Sequence, residues 1–113
     1  MADENVNEQL EEQLFEIISY VGGAKSCFIE AIRAAKGTDY ATADLKMKEG
    51  SDMFVKGHKV HASLLQKEMD GRTSTVSLIL IHAEDQLMAA DSFKTLALEF
   101  INVYKELNVL KSK

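Results

Sequence analysis

The chain has 113 residues, of which 46% are hydrophobic and 27% charged, with 13 Lys+Arg against 18 Asp+Glu and a formal net charge of −5. That length suits one domain, 1–113, with a single core, and leaves no space for a catalytic unit plus a regulatory one. The acidic balance gives no long-range attraction to nucleic acid, and the hydrophobic fraction is that of a packed globule rather than a disordered chain. Cys27 is the single cysteine, so no internal disulfide forms, which suits a reducing compartment. The acidic start lacks the basic and apolar regions of a signal peptide, and no apolar run approaches the roughly 20 residues needed to cross a bilayer. A cytoplasmic location is the expectation.

No proline occurs anywhere, which removes the strongest helix breaker and permits long helices. Two short stretches carry stop-and-start signals, Gly37-Thr38-Asp39 and Asp70-Gly71-Arg72-Thr73-Ser74, each pairing a helix-ending glycine with N-capping residues. They divide the chain into three segments. The first, about 6–36, sets Val6, Leu10, Leu14, Ile17, Ile18, Val21, Ala24, Phe28, Ile32 and Ala35 in a helical rhythm. Gly22-Gly23 interrupts it and signals either a close helix approach or a bend. The residues before it, about 1–12, are read as a frayed acidic end, and Lys111-Ser112-Lys113 as the other. The second segment, about 40–69, places Tyr40, Ala43, Met47, Phe54, Gly57, His61, Leu64 and Leu65 opposite Lys46, Lys48, Lys56 and Lys67, an amphipathic surface helix. The expected fold is all-α, an elongated antiparallel three-helix bundle.

The third segment, about 74–110, is apolar on two sides. Val76, Ile79, Ala83, Leu87, Ala90, Ala97, Ile101 and Tyr104 form one stripe for packing on the other helices, at about 100° per residue. Leu78, Ile81, Asp85, Met88 and Ser92 form another, spaced 3, 4, 3 and 4 residues apart, widened by Ala89, Leu96 and Val103. That is the spacing of helices packed along their length. A three-helix hairpin cannot bury both faces, so the second predicts self-association with closed symmetry. Asp85 lies in this seam. On a rotation axis its copies converge, and two unit charges about 4 Å apart repel by about 4 kcal/mol at an effective dielectric near 20. A cation or shared protons must then intervene; the alternative is that Asp85 stays wet at the seam's edge.

His82 sits about 60° round the helix from Asp85, at the end of the aliphatic run Leu78-Ile79-Leu80-Ile81. A neutral imidazole there is a nucleophile, a ligand or a satisfied core residue, and one histidine does not decide among them. His58 and His61 stand three apart but lack a third ligand at a defined spacing, so they do not make a metal site by themselves. Cys27 reads as a buried, inert thiol. There is no glycine-rich phosphate loop, nucleophile elbow or basic aromatic groove, which disfavours nucleotide enzymes.

The stretch from Val76 to Met88, VSLILIHAEDQLM, resembles the hallmark of the lactose/cellobiose-type (also diacetylchitobiose) enzyme IIA of the phosphoenolpyruvate-dependent sugar phosphotransferase system. The family form is an aliphatic run followed by His-Ala-Gln-Asp-His-Leu-Met. Gly23-Ala24-Lys25-Ser26 with Glu30-Ala31, the Gly37-Thr38-Asp39-Tyr40 turn, and Leu64-Leu65-Gln66-Lys67-Glu68 extend the resemblance over roughly 12–111. Glu84 and Gln86 depart from the family's Gln and His. A negative charge at Glu84 is expected to favour the protonated form of His82 and so to hinder its attack.

The resemblance implies a single enzyme IIA domain that assembles into a homotrimer through the third helix. It further implies a phosphohistidine at His82, with reaction at Nε2 favoured, and a metal-binding Asp85 on the trimer axis, for which magnesium is the natural divalent cation. The implied activity is that of a phosphotransferase component: His82 accepts a phosphoryl group from phospho-HPr and passes it to a cysteine of the cognate enzyme IIB during uptake of a β-linked disaccharide, without a nucleotide. The membrane is met only indirectly, through the enzyme IIC transporter. Gln86, Ser77 and Ser74 are candidates to donate hydrogen bonds to the phosphate. Two other classes stay open: a helical oligomerisation module without chemistry, and a two-component histidine phosphotransfer domain, whose usual Lys-Gly neighbourhood is not matched.

Overall fold

The computed structural model describes residues 2–71 and 76–113, with side chains from residue 8 onward. Three helices account for nearly all of them: α1 (Ala2–Lys36), α2 (Tyr40–Met69) and α3 (Leu78–Lys111). They form a rod of 68 × 20 × 18 Å, as helices of 30 to 35 residues rising about 1.5 Å per residue require. The backbone is helical from Ala2, where the acidic composition suggested a frayed end.

Helix α1 is the centre of the bundle. It packs against both other helices along its length, whereas α2 and α3 meet sparingly. It contributes the bulk of the large core side chains, Leu14, Ile17, Val21 and Phe28, all at most 1% exposed. Facing it, α2 and α3 bury mainly small residues: Ala43, Gly50 and Gly57 from one, Ala83, Ala90 and Ala97 from the other. Large side chains on the middle rod and small ones on its neighbours let three backbones approach closely.

The glycines explain the unbroken first helix. A Cβ at Gly23 would stand 2.8 Å from Met53 Sδ, whereas one at Gly22 meets nothing within 4 Å. Gly23 therefore lies at a close approach to α2, and the helix runs unbroken through the pair.

The first turn falls where expected, with one difference in detail; of the second only Asp70 and Gly71 are among the described residues. After α1, the left-handed residue is Thr38, at φ 66°, not Gly37. Thr38 N–H donates to Ala35 O (3.0 Å) and Asp39 N–H to Ala34 O (2.9 Å), closing the helix in a Schellman arrangement. Asp39 then caps α2, accepting from Thr42 N–H at 3.1 Å and Thr42 Oγ1 at 2.7 Å. The far end of α3 is tied into this turn, because the Asn108 side-chain amide donates to Ala35 O (3.0 Å) and to Tyr40 Oη (2.9 Å). At the other end of the rod, Gly71 takes the left-handed conformation, φ 79°. Helix α3 begins at Leu78, later than the expected Ser74, and Val76 stands outside it with 75% exposure instead of joining the core stripe.

Candidate functional site

Ser77 sets the start of α3. Its backbone is extended, and its Oγ accepts from Leu80 N–H at 3.2 Å, which satisfies one of the otherwise unpartnered donors of the first turn. In the helix that follows, Ile79, Ala83, Leu87, Ala90, Ala97, Ile101 and Tyr104 turn towards the other helices, buried or half-buried. The predicted core stripe is borne out apart from Val76.

With that face inward, the second apolar line is left in water. Leu78, Ile81, Met88, Leu96 and Val103 are 83, 56, 69, 53 and 54% exposed. Asp85 and Ser92 are exposed among them, and Ala89 is half-buried. The line runs further than expected, because Phe100, Leu107 and Leu110 are also exposed. Asp85 has no hydrogen-bond or ion-pair partner among the described residues.

His82 is exposed, one turn inside the helix start, and lines an open apolar depression with Leu78 and Ile79. It is therefore not a core-filling histidine on its own chain. Gln86, one turn on and half-buried, lies on the same side of the helix as His82. Ser77 is near the start of the same run, with its oxygen engaged as the helix cap. Ser74 lies outside the described residues. Among the described residues of one chain, no three His, Cys, Asp or Glu side chains converge to hold a metal.

Glu84 is placed differently from the expectation. Two residues beyond His82, it is turned by about 200° to the other side of the helix and accepts from His61 Nε2 at 2.5 Å, across to α2. The His61 side chain is 14% exposed and that of Glu84 42%. The carboxylate thus faces α2 instead of the exposed imidazole. This pair was not legible in the sequence, since its members are 23 residues apart and lie on either side of a turn. His58 is exposed and neighbours the rings of Phe54 and His61, at centroid distances of 6.1 and 6.4 Å. Cys27 is buried, and burial, with Glu49 and Glu30 adding to it against Lys46, pushes its thiol pKa up. That is an inert thiol, as expected.

An exposed histidine one turn into a long helix, followed by a carboxylate on an uncovered apolar line, is the local pattern to compare with known proteins. The model of the family described as "PTS system, Lactose/Cellobiose specific IIA subunit" matches residues 12–105. The chain belongs to this family. The lichenan-specific phosphotransferase enzyme IIA component of Bacillus subtilis (strain 168) is 34% identical over 102 residues, spanning 90% of this chain and 93% of that protein. The lactose-specific EIIA component of Staphylococcus aureus (strain N315) is 36% identical over 91 residues, 80% of this chain and 88% of the other. Among solved structures, the cellobiose-specific enzyme IIA of Bacillus anthracis superposes with a TM-score of 0.85 at 37% identity, covering 88% of this chain and 91% of that one. This IIA chain is thus a sugar-specific component of the phosphotransferase system, and no helix among its described residues is long and apolar enough to cross a membrane.

Proposed function

We propose that His82 is a phosphoryl carrier between HPr and the cognate enzyme IIB. The observation that carries this reading is the exposure of His82 beside Leu78 and Ile79, on the helix that the family match includes. An unprotonated ring nitrogen attacks the phosphorus of the HPr phosphohistidine in line. The new N–P bond forms as the old one breaks, and the HPr imidazole leaves with its electron pair. In the second transfer a thiolate of enzyme IIB attacks the same phosphorus, and His82 recovers its lone pair. Both steps exchange one activated phosphoryl bond for another, so positioning and electrostatics supply most of the catalysis and no nucleotide is consumed. In this reading the apolar rim gives partners a surface to dock on, and Gln86, on the same side of the helix, is a candidate to donate to phosphate oxygens. Ser77, and Ser74 before it, are the further candidates for that role.

The uncovered line on α3 supports a homotrimer, with the α3 helices side by side about a three-fold axis. Asp85 suits a cation site on that axis: it offers one hard oxygen ligand per chain, has no partner of its own, and lies between Ile81 and Met88, where a bare carboxylate would be costly to bury. Asp85 from each of three chains would hold a divalent cation such as magnesium, which would offset most of the repulsion between the carboxylates. The arrangement belongs to a cytoplasmic component that meets the membrane only through its IIC partner.

The test is direct. The protein is incubated with phosphoenolpyruvate, enzyme I and HPr, and its intact mass is measured. One acid-labile phosphate per chain, absent from His82→Ala, is the expected result. No label overturns the carrier reading in favour of a helical module without chemistry, and label that survives His82→Ala overturns the assignment to His82.

A further inference from the structure

The first turns of α3 are loosely seated for a segment that carries a reacting group. Leu78 and Ile81 are exposed, Ile79 and Leu80 are only partly buried, and the first fully buried residue of the helix is Ala83. Helix α2 lies alongside, yet the two helices meet sparingly. Between them is an open groove lined by Leu64, Leu65, Glu68, Leu80 and Glu84. One side-chain bond that crosses this junction is His61 Nε2 to Glu84 Oε1, at 2.5 Å. A carboxylate oxygen is an acceptor, so the bond is formed with the imidazole Nε2–H donating.

The bond has a directional consequence. Glu84 is two residues from His82, on the opposite side of the helix by about 200°. Holding Glu84 against α2 therefore adds to the burial of Ala83 and Leu87 a directional restraint on the rotation of α3 at its start, and with it on the direction in which the His82 ring points. Apolar contacts of Leu64 and Leu80 hold the helices together but slide, whereas a hydrogen bond between two partly buried groups sets one register.

We infer that Glu84 and His61 form a positioning pair that sets the orientation of His82 for phosphoryl transfer. The inference rests on the carrier reading of His82. In-line transfer demands close alignment of the attacking nitrogen, and misplacement of about 1 Å costs on the order of a hundredfold in rate. The pair acts through helix register and touches neither donor nor phosphate, so its loss lowers the rate of transfer more than the affinity for the donor.

The experiment uses the full chain, with phospho-HPr generated from phosphoenolpyruvate and enzyme I as the donor. Single-turnover labelling is followed over a range of HPr concentrations for the parent, Glu84→Ala, His61→Ala, the double variant and Glu84→Gln. The expected result is a fall of about ten- to a hundredfold in the maximal rate for each alanine variant, with the half-saturating HPr concentration little changed. The double variant is expected to be no worse than either single one, because both remove the same bond. Glu84→Gln, whose amide oxygen still accepts from His61, retains near-parental transfer. Circular dichroism at the assay temperature checks that every variant is helical, and a Leu87→Val control, at a buried core position of the same helix, reports what mild loosening of α3 does without touching the pair. Parental rates in Glu84→Ala, losses that multiply in the double variant, or an equal loss in Leu87→Val overturn the inference while leaving His82 as the carrier. A parent that takes no phosphate overturns the carrier reading instead, and the positioning role with it.

Discussion

Gly50 of α2 lies against the ring of Phe28 in α1 so closely that a Cβ built on it would stand 2.6 Å from Phe28 Cε1 and 3.0 Å from Cys27 Cβ. Seven residues on, a Cβ at Gly57 would stand 2.9 Å from Val21 Cγ1. Phe28 and Val21 are themselves seven apart and fully buried. The two antiparallel helices thus share a register in which each glycine of one accepts a bulky side chain of the other.

Alanine at these positions separates helices that have no slack. Gly50→Ala is expected to destabilise the fold by about 1–3 kcal/mol, because the Phe28 ring has no free space to move into. Gly57→Ala follows at the lower end of that range, since Val21 Cγ1 is the atom displaced. Gly22→Ala, with nothing within 4 Å of the added methyl, goes the other way and stabilises by roughly 0.5–1 kcal/mol through helix propensity. Urea unfolding midpoints at one protein concentration check all three signs.

Thr38 holds the left-handed position that ends α1 while Gly37 beside it does not. A β-branched residue there costs about 1–2 kcal/mol relative to glycine. Thr38→Gly is therefore expected to stabilise the chain by roughly 0.5–1 kcal/mol, after the greater freedom of glycine in the unfolded chain is subtracted. The measurement is again the unfolding midpoint, and a destabilised variant would contradict the strain argument.

Asp39 makes the cap at the same turn sensitive to acid. The Thr42 hydroxyl, and then the Thr42 backbone N–H, hold its carboxyl pKa below the ordinary value. A pKa lower in the folded than in the unfolded chain means that the stabilisation is present above the unfolded value, near 3.9, and is lost as the pH falls through the folded one. Asp39→Ala is expected to lower the thermal midpoint at pH 7, and the gap from the parent to close below about pH 4. Asp39→Asn, which keeps an acceptor, falls between them. Thermal melts across that range decide it.

The proposed axis yields a separable set of outcomes. Asp85→Leu is expected to sediment as an assembly at least as tight as the parent, since an apolar side chain replaces a charge placed where charge is costly. Chelation with EDTA is expected to loosen the parent and leave Asp85→Leu unaffected. Met88→Lys, which puts a cation on the apolar line, shifts the population towards monomers. Parent protein that sediments as a monomer throughout contradicts the axis.

The inner face of α3 was legible because its signal is local. Ile79, Ala83, Leu87, Ala90, Ala97, Ile101 and Tyr104 recur at the helical period, and the helix rotates to bury them. The outward line through Leu78, Ile81, Asp85 and Met88 followed by subtraction, since one hairpin covers one face. The position of Glu84 did not follow, because the rotation of α2 against α3 is set by packing across a turn that a periodicity does not encode. Thr38 escaped for a similar reason: glycine is the usual left-handed residue, and only the phase at which α1 stops decides which neighbour takes that place. Gly22 and Gly23 look alike in the sequence, yet only the second has Met53 beside it.

In the proposed trimer, the strip that continues through Leu96, Phe100, Val103, Leu107 and Leu110 would tie stability to protein concentration. A partner copy that covers those side chains binds the folded form and not the unfolded one, so it would add stability by mass action. Under that proposal dilution acts in the same direction as a denaturant, and a newly made copy at low abundance is the form most open to proteases.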